Sequence, residues 1–392
     1  MSDKIRVAQI VTRFMAGAGG VALRGALALD PDRYEVAFVI GSGDQLVQDA
    51  QLAGFEVVTI DHLRSELSLT DDLRALRELK RVVAGGRFDV VHTHSSKAGA
   101  LGRIAARDAG VGRIVHTFHG FPFHEFQSRP RRLAYVRIEK HLGRWTDAFL
   151  AVGPAIAAEA IRRRIAPPER VRTIGVAVSA GSAPQAADRA EARRLLGVPP
   201  GMHVIGTVGR LDYQKAPDDF VNAVAGLGRD DVFAVWIGDG PLRAQTERLA
   251  ARRGLAGRMS FAGQRSDVAA LLPGLDVFAM ASRYEGMPCS IVEAMAAALP
   301  VVATAVNAVP NIVVAGETGL LVPPGRPELL GRAMAYLIDN PTVAARLGAS
   351  ARANLGQELT PAALGAVLDD TYRGPSPVTA RRRPARLEVA AP

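Results

Sequence analysis

The sequence is 392 residues long, with a formal net charge of +9 at pH 7 and a pI near 10.2. Hydrophobic residues make up 48% and charged residues 22%, a balance typical of globular proteins, and the length favours two domains. The single cysteine, Cys289, excludes an internal disulfide and a cysteine-based metal site, and no apolar run is long enough to span a membrane.

The first half of the chain begins with a polar stretch and a strand, without the apolar core of a signal peptide, so we expect a cytoplasmic protein. Because its apolar runs are nearly continuous rather than alternating, they predict strands of a parallel sheet with helices on both faces. These features predict an N-terminal Rossmann-like domain over residues 1–178. Its strands are predicted at residues 5–11, 34–40, 56–60, 88–94, 113–119, 148–152 and 171–178.

A glycine-rich loop follows the first predicted strand. Gly17, Gly19 and Gly20 would let the backbone approach a ligand at the start of a helix. A tight strand-to-helix turn is the plainer interpretation and is compatible with ligand binding. NAD binding is disfavoured, because the glycine spacing is not GxGxxG and the next strand lacks a terminal acidic residue.

Histidines mark the ends of two predicted strands. His92 and His94 could form a metal-binding pair, but the sequence shows no third ligand nearby, so we expect them to line a cleft. His119, followed by Gly120, closes another strand at the end where functional groups of this architecture collect. A structural role for His119 is an equal alternative.

The segment from Arg129 to Arg144 is strongly basic. A solvated helix face is one interpretation, and binding to anionic lipid headgroups is the other. A nucleic-acid role rests on charge alone, because no aromatic pattern suited to base stacking accompanies the cations. The basic residues are Arg129, Arg131, Arg132, Arg137, Lys140, His141 and Arg144.

Residues 179–196 are rich in small side chains and are predicted to form a linker. Strand and helix patterns then resume and predict a second doubly wound domain over residues 197–359. A last helix is expected near residues 360–374, followed by a disordered tail at 375–392. The second set of strands is predicted at residues 203–209, 232–238, 259–263, 275–280, 301–306 and 319–323.

Candidate phosphate and nucleotide ligands end the strands of the second domain. Arg210 and Lys215 lie in one strand-end loop, where they could neutralise a diphosphate, although ordinary surface cations are the alternative. Gly238 and Asp239 would permit close approach of a nucleotide, and Arg265 could flank its base.

The segment from Ser282 to Ala298 combines two carboxylates with a turn into a helix. Glu285 precedes the helix and Glu293 lies within it. A helix N-terminus suits phosphate, whereas carboxylates repel phosphate and suit hydroxyls. This combination describes a site for a sugar nucleotide. The turn consists of Gly286, Met287, Pro288 and Cys289, with Ser290 as a candidate cap.

Together these motifs resemble the family 4 retaining glycosyltransferases of glycosyltransferase group 1. That family has the GT-B fold, an α/β architecture of two Rossmann-like domains facing across a cleft. The resemblance extends from Ile5 to Tyr372 and depends most on the Arg210–Lys215 loop and on the seven residues between Glu285 and Glu293. It departs from the family pattern at residues 174–178, and at Ala216, where glycine is common.

The resemblance implies a role for each candidate. Arg210 and Lys215 would bind the donor diphosphate, Glu293 the ribose, and Glu285 the transferred sugar. The turn and the two glycine loops would contact the donor, and the loop at Gly17 could instead contact the acceptor. His119 would lie beside the reacting centre. The last helix would cross back to the first domain, and no metal or other cofactor would be needed.

The expected activity is transfer of a sugar from a nucleoside diphosphate donor, UDP in the first instance, with retention of anomeric configuration. The transferred group would be a hexose or N-acetylhexosamine, and the acceptor a glycan or lipid-linked glycan of surface polysaccharide or glycolipid synthesis. The basic segment would place the enzyme peripherally on the inner membrane face. A UDP-sugar epimerase of the same architecture and a non-catalytic nucleotide-sugar-binding protein are the alternatives.

Overall fold

A computed structural model describes residues 4–15, 17–43, 45–121, 123, 127–178 and 185–374. The chain divides into two compact units. The first consists of Met1–Ala177 together with Pro361–Pro392, and the second is the continuous stretch Val178–Thr360. The predicted tail at 375–392 lies outside the described residues, as do residues 179–184 of the predicted linker.

The first unit is built on a seven-stranded parallel sheet of order β3-β2-β1-β4-β5-β6-β7. Strand β1, which lies between β2 and β4, has almost no exposed side chain because helices cover both faces. All seven strands were predicted from the sequence. They are β1 (Ile5–Phe14), β2 (Tyr34–Gly43), β3 (Glu56–Thr59), β4 (Val90–His94), β5 (Arg113–Phe118), β6 (Ala148–Val152) and β7 (Val171–Ile174).

Seven α-helices of the first unit lie in the described part of the chain. They are α1 (Ala18–Leu27), α2 (Gln45–Leu52), α3 (Leu69–Gly86), α4 (Ser96–Asp108), α5 (Arg129–Gly143), α6 (Pro154–Arg162) and α14 (Pro361–Arg373).

Helix α14 packs against α1, although more than three hundred residues separate the two in the sequence. Its buried face carries Leu364, Leu368 and Tyr372. Small residues allow the close approach: a Cβ on Gly25 would lie 2.8 Å from a methyl carbon of Leu368, and one on Gly365 would lie 2.5 Å from the carbonyl oxygen of Ala28. The last helix therefore completes the first unit.

The second unit is built on a six-stranded parallel sheet of order β10-β9-β8-β11-β12-β13. Its strands were also predicted. They are β8 (His203–Val208), β9 (Val232–Ile237), β10 (Met259–Gly263), β11 (Val277–Met280), β12 (Val301–Thr304) and β13 (Leu320–Val322). Its helices are α7 (Ala186–Leu195), α8 (Pro217–Ala225), α9 (Arg243–Arg252), α10 (Val268–Leu271), α11 (Cys289–Ala296), α12 (Pro327–Asp339) and α13 (Pro341–Ala353).

Helix α7 occupies much of the segment that the sequence indicated as a linker. Alanines favour helix, and a reciprocal capping box between Gln185 and Asp188 starts it. Arg193 donates a hydrogen bond to the carboxylate of Asp276 over 2.7 Å, and the backbone N–H of Val204 donates to the same oxygen. This part of the predicted linker is thus a fixed element of the second unit.

Candidate active site

The carboxylate of Glu285 is the centre of a hydrogen-bonded cluster in the second unit. Strands β8 and β11 are neighbours, so the loops that follow them meet at one sheet edge. Lys215 Nζ lies 2.6 Å from Glu285 Oε1, and the Ser282 hydroxyl donates to the same oxygen over 2.6 Å. The Gln214 amide donates to the other carboxylate oxygen over 3.2 Å.

This cluster is largely shielded from solvent. The side chain of Glu285 is 4% exposed and that of Lys215 is 17% exposed. The backbone N–H of Glu285 also donates to Asn307 Oδ1 over 2.8 Å, which fixes the loop behind the carboxylate. An ammonium group has three hydrogens, and Lys215 uses one of them on Glu285. The remaining two could bind phosphate oxygens without breaking the pair.

Asp212 connects the two predicted phosphate-binding cations. One of its carboxylate oxygens accepts from Arg210 Nε over 2.6 Å, and the other accepts from the backbone N–H of Lys215 over 3.1 Å. The Arg210 side chain remains 51% exposed, so a ligand can reach its guanidinium. Ala216 has a left-handed φ of +48°, a conformation that explains why glycine suits this position.

The turn after Glu285 ends at the N-terminus of α11. Pro288 is the residue before the helix, and no side-chain hydrogen bond caps this end. The prediction that Ser290 caps the helix is wrong, because Ser290 lies in the first turn rather than before it. No side chain of the described residues caps this end, and such a helix end is suited to an anion. Glu293 lies four residues after Cys289 and is partly exposed.

The glycines after β9 are fixed by packing. Gly238 has a φ of +138°, and a Cβ there would overlap the carbonyl oxygen of Gly209. Asp239 accepts from Arg243 over 3.0 Å. Arg265 pairs with Asp267 on its own loop over 2.6 Å. Arg265 makes no hydrogen bond or ion pair with Lys215 or Glu285 in the described part of the chain.

We expect Gly238→Ala to lower the free energy of unfolding by about 3 kcal/mol or more, because backbone strain and a steric overlap act together. Chemical denaturation of the variant measures this change. Gly257→Ala is the matched control: Gly257 has a φ of +75°, but a Cβ there meets nothing within 4 Å. Equal losses for the two variants would contradict the packing argument.

The glycine loop of the first unit leads into α1. Gly17 has a φ of +79°, and a Cβ on Gly19 would lie 2.9 Å from the backbone of Phe14. A Cβ on Gly20 would lie 3.0 Å from the guanidinium of Arg24. The Nε of Arg24 donates to the Val176 carbonyl over 3.0 Å, whereas its buried Nη2 has no hydrogen-bond partner among the described residues.

Arg24 was not among the site residues predicted from the sequence. Position was the available signal, because Arg24 is the cation that α1 carries after the glycine loop.

His119 is connected to a chain of buried polar side chains. Its Nε2 lies 2.9 Å from His94 Nδ1, and His94 Nε2 lies 2.6 Å from Gln9 Oε1. The Gln9 amide donates to the Tyr372 hydroxyl over 2.9 Å, and that hydroxyl lies 2.7 Å from His92 Nδ1. His92 Nε2 lies 2.6 Å from the Thr117 hydroxyl, so both ring nitrogens of His92 and of His94 are engaged in hydrogen bonds.

These histidines are neutral at physiological pH. Burial lowers the pKa of His92 to about 3. Burial, and secondarily the charge of Arg24, lowers the pKa of His119 to about 4. The pKa values of His94 and His116 also lie well below the usual value, chiefly because both rings are buried.

Two further surface features belong to the first unit. Helix α5 exposes basic side chains, with Leu133 and Ile138 exposed among them, while its Glu139 is buried in a 2.7 Å pair with Arg103. A cavity of about 560 Å³ lies beyond the ends of β1 and β2, and Arg13 and Arg64 are among its lining residues.

Comparisons with known proteins cover nearly the whole chain. Residues 188–354 match the family model for group 1 glycosyl transferases, and residues 15–180 match that for glycosyltransferase family 4. The chain is 30% identical over 315 residues to the Escherichia coli UDP-Gal:α-D-GlcNAc-diphosphoundecaprenol α-1,3-galactosyltransferase, covering 78% of this chain and 80% of that one. It is 32% identical to the D-inositol 3-phosphate glycosyltransferase of Streptomyces scabiei, covering 69% and 64%.

Solved structures resemble the whole fold. Anabaena HepE in complex with UDP and glucose aligns with a TM-score of 0.81 at 20% identity, covering 94% of this chain and 99% of that one. WaaG, a glycosyltransferase involved in lipopolysaccharide biosynthesis, aligns with a TM-score of 0.75 at 17% identity, covering 94% and 100%. The two Rossmann-like parallel-sheet units therefore have the GT-B fold.

Proposed function

This chain belongs to the group 1 glycosyltransferases, and from that membership we propose that it transfers a sugar from a UDP-sugar to a glycan or lipid-linked acceptor with retention of anomeric configuration. The observation that carries the proposal is the buried Lys215–Glu285 pair. It combines a cation for phosphate with a carboxylate for hydroxyls.

In the proposed donor site, different residues bind different parts of the donor. Lys215 and the exposed guanidinium of Arg210 bind the diphosphate, because both offer N–H donors to anionic oxygens. Glu285 accepts hydrogen bonds from the transferred sugar. Glu293 binds the ribose hydroxyls, and the backbone from Gly286 to Cys289 contacts sugar or phosphate.

The proposed reaction takes place on one face of the sugar. The anomeric carbon–oxygen bond to the diphosphate breaks as the acceptor oxygen approaches, and a departing phosphate oxygen takes the acceptor's proton. Arg210 and Lys215 stabilise the charge that develops on the diphosphate. No group other than the two substrates is consumed, and the products are the glycosylated acceptor and the nucleoside diphosphate.

Thermal denaturation with UDP-, GDP- and ADP-sugars tests the donor class. We expect UDP-sugars to give the largest rise in Tm, since a ligand present at one hundred times its Kd stabilises the folded state by about 2.7 kcal/mol. The names of the relatives support this choice, because the Escherichia coli enzyme uses UDP-Gal and the Anabaena structure contains UDP. Glu293→Ala should abolish most of the rise.

Glu317→Ala is the control for Glu293→Ala, because it removes an exposed carboxylate from the same unit. It should retain the full rise in Tm. Product analysis with the best donor then separates the alternatives. A glycosylated acceptor supports transfer, whereas an isomerised UDP-sugar without transfer would indicate an epimerase. Donor binding with neither product would indicate a non-catalytic binding protein.

The acceptor and its location form the second part of the proposal. We propose a lipid-linked acceptor in surface polysaccharide or glycolipid synthesis, and peripheral association of α5 with the inner membrane face. No helix in the described ranges is long and apolar enough to cross a bilayer. Exposed cations next to exposed Leu133 and Ile138 suit an anionic lipid surface.

Binding to vesicles that contain anionic lipid should depend on α5 and on salt. Reversing Arg131, Arg137 and Lys140 to glutamate should weaken binding at least about 100-fold, since each cation contributes about 1 kcal/mol near such a surface. The control reverses Arg248, Arg252 and Arg253, which are exposed on or next to α9 and give the same change of net charge. Equal weakening in both variants, or no binding at low salt, would refute the role of α5.

A further inference from the structure

Helix α14 contributes a side chain to the polar chain that ends at His119. This polar chain of hydrogen-bonded side chains runs from His119 through His94 and Gln9 to Tyr372, and then to His92 and Thr117. Gln9, His92 and His94 are at most 2% exposed, and Tyr372 is 4% exposed. His119 is the partly exposed end, at the edge of the sheet where β5 finishes. A buried chain of this kind links the state of its exposed end to its interior partners.

The orientation of the Gln9 amide sets the direction of every hydrogen bond. Its Oε1 faces His94, so His94 Nε2 carries a proton and donates it. Since neutral imidazole carries one proton, His94 Nδ1 is then an acceptor, and His119 Nε2 must donate to it. The same logic makes Tyr372 donate to His92 Nδ1 and makes His92 donate to Thr117.

The second ring nitrogen of His119, Nδ1, takes no part in the polar chain. Its Nε2 is the donor to His94, so its Nδ1 carries a lone pair, and this nitrogen has no hydrogen-bond partner among the described residues. Arg24 is close enough to disfavour a positive charge on the ring. A neutral imidazole with a bare Nδ1 can accept a hydrogen bond from a hydroxyl group but cannot donate one through that atom.

We propose that Gln9 and Tyr372 are positioning residues, which hold His119 as the Nε2–H tautomer so that Nδ1 accepts a hydrogen bond from a hydroxyl of a bound sugar. The claim that the ligand is a sugar rests on the proposed function, whereas the claim about the tautomer of His119 does not. The Tyr372 hydroxyl acts from helix α14, at the far end of the chain. In the assigned direction the Gln9 amide donates to this hydroxyl, which donates in turn to His92, so Tyr372 supplies an acceptor for the amide.

The tautomer can be measured without substrate. Two-dimensional ¹H–¹⁵N NMR correlates ring nitrogens with ring carbon-bound protons, and at pH 8 it distinguishes a protonated from a bare nitrogen. The sequence contains 8 histidines, so single substitutions can assign them. We expect a protonated Nε2 and a bare Nδ1 at His119 in the full-length protein. The opposite tautomer would overturn the proposal, because a flipped Gln9 amide would reverse every proton in the chain.

Tyr372→Phe tests whether α14 sets the tautomer. It removes the hydroxyl that holds Gln9, so we expect the His119 signals to show a mixture of the two tautomers. Tyr34→Phe is the matched control, because the Tyr34 hydroxyl donates to Asp369 on the same helix over 2.9 Å but does not belong to the chain. It should leave His119 unchanged. A His119 pattern in Tyr372→Phe identical to that of the control would also overturn the proposal.

Gln9→Glu provides a rescue with its own signature. A carboxylate there accepts from His94 Nε2 and also from Tyr372, so His119 keeps its tautomer. Tyr372 then no longer donates to His92, whose proton must move to Nδ1. In Gln9→Glu we expect His92 to change tautomer while His119 does not. In Gln9→Leu we expect both histidines to lose their fixed tautomer. A change at His119 in Gln9→Glu would contradict the assigned direction.

The rate of sugar transfer should follow the tautomer. We expect kcat to fall about tenfold in Tyr372→Phe relative to Tyr34→Phe, and to recover in Gln9→Glu relative to Gln9→Leu. If every variant were inactive with every donor while the tautomers behaved as stated, the proposed function would fail and the positioning of His119 would stand. Equal kcat in Tyr372→Phe and Tyr34→Phe would refute the link to catalysis.

Discussion

Replacing Lys215 with alanine should lower the rate of sugar transfer by a factor of about 10²–10³, the usual effect of losing one preorganised stabiliser of developing charge. The ammonium group lies 2.6 Å from Glu285 and retains two hydrogens, which in the proposed reaction would bind the leaving diphosphate. Single-turnover kinetics with a saturating donor would measure the chemical step separately from binding.

The same substitution has an effect on stability that must be separated from catalysis. Glu285 is 4% exposed, and removing its partner leaves a buried carboxylate without a counter-charge. Breaking such a pair costs about 3–5 kcal/mol. Lys215→Met combined with Glu285→Gln removes both charges and keeps the shape of the cluster. This double variant should recover most of the free energy of unfolding but not the transfer rate. Near-normal transfer by the double variant would refute the assignment of the site.

Acidification from pH 7 to pH 5 should destabilise the first unit far more than the second. Three histidines of the first unit, His92, His94 and His116, are buried and have pKa values well below 6.5. Below pH 6.5 these histidines become protonated in the unfolded chain but stay neutral in the native unit. The free energy of unfolding therefore falls as the pH falls. Each such histidine contributes a slope of up to about 1.4 kcal/mol per pH unit.

No carboxylate is among the charges that shift these pKa values. Arg103 adds to the lowering for His116, and Arg24 does so for His119. The contribution of these histidines to stability should therefore be present in full above pH 6.5 and be lost progressively toward about pH 3. The second unit contains one histidine, His203, and serves as the internal control. Hydrogen exchange followed by mass spectrometry would report both units at once, and equal loss of protection in the two would contradict the prediction.

The strands were predictable because a parallel sheet buried on both faces leaves nearly continuous apolar runs. Helix α7 was missed because its alanines resemble the small residues of a flexible segment, although their helix propensity is high. The proximity of Lys215 and Glu285 could be predicted only in part from the sequence. Both residues end strands in the sequence, but only the sheet order shows that β8 and β11 are neighbours.

The polar chain behind His119 could not be predicted from local patterns. Gln9 and Tyr372 are separated by 363 positions, and neither belongs to a motif. Their contact depends on the return of α14 to the first unit and on small residues such as Gly25 that admit it. Arg24 was missed for a related reason, because its importance comes from the atoms around it rather than from its neighbours in sequence.

The return of helix α14 also determines the order in which this protein can fold during its synthesis. The second unit is one continuous stretch, whereas the first contains residues from both ends of the chain. Tyr372 leaves the ribosome roughly 200 residues after the last strand of the first sheet, or about 10–40 s later at about 5–20 residues per second. Through that interval the nascent first unit lacks the Tyr372 hydroxyl that contacts Gln9 and His92, so we expect the later-made second unit to complete its fold first.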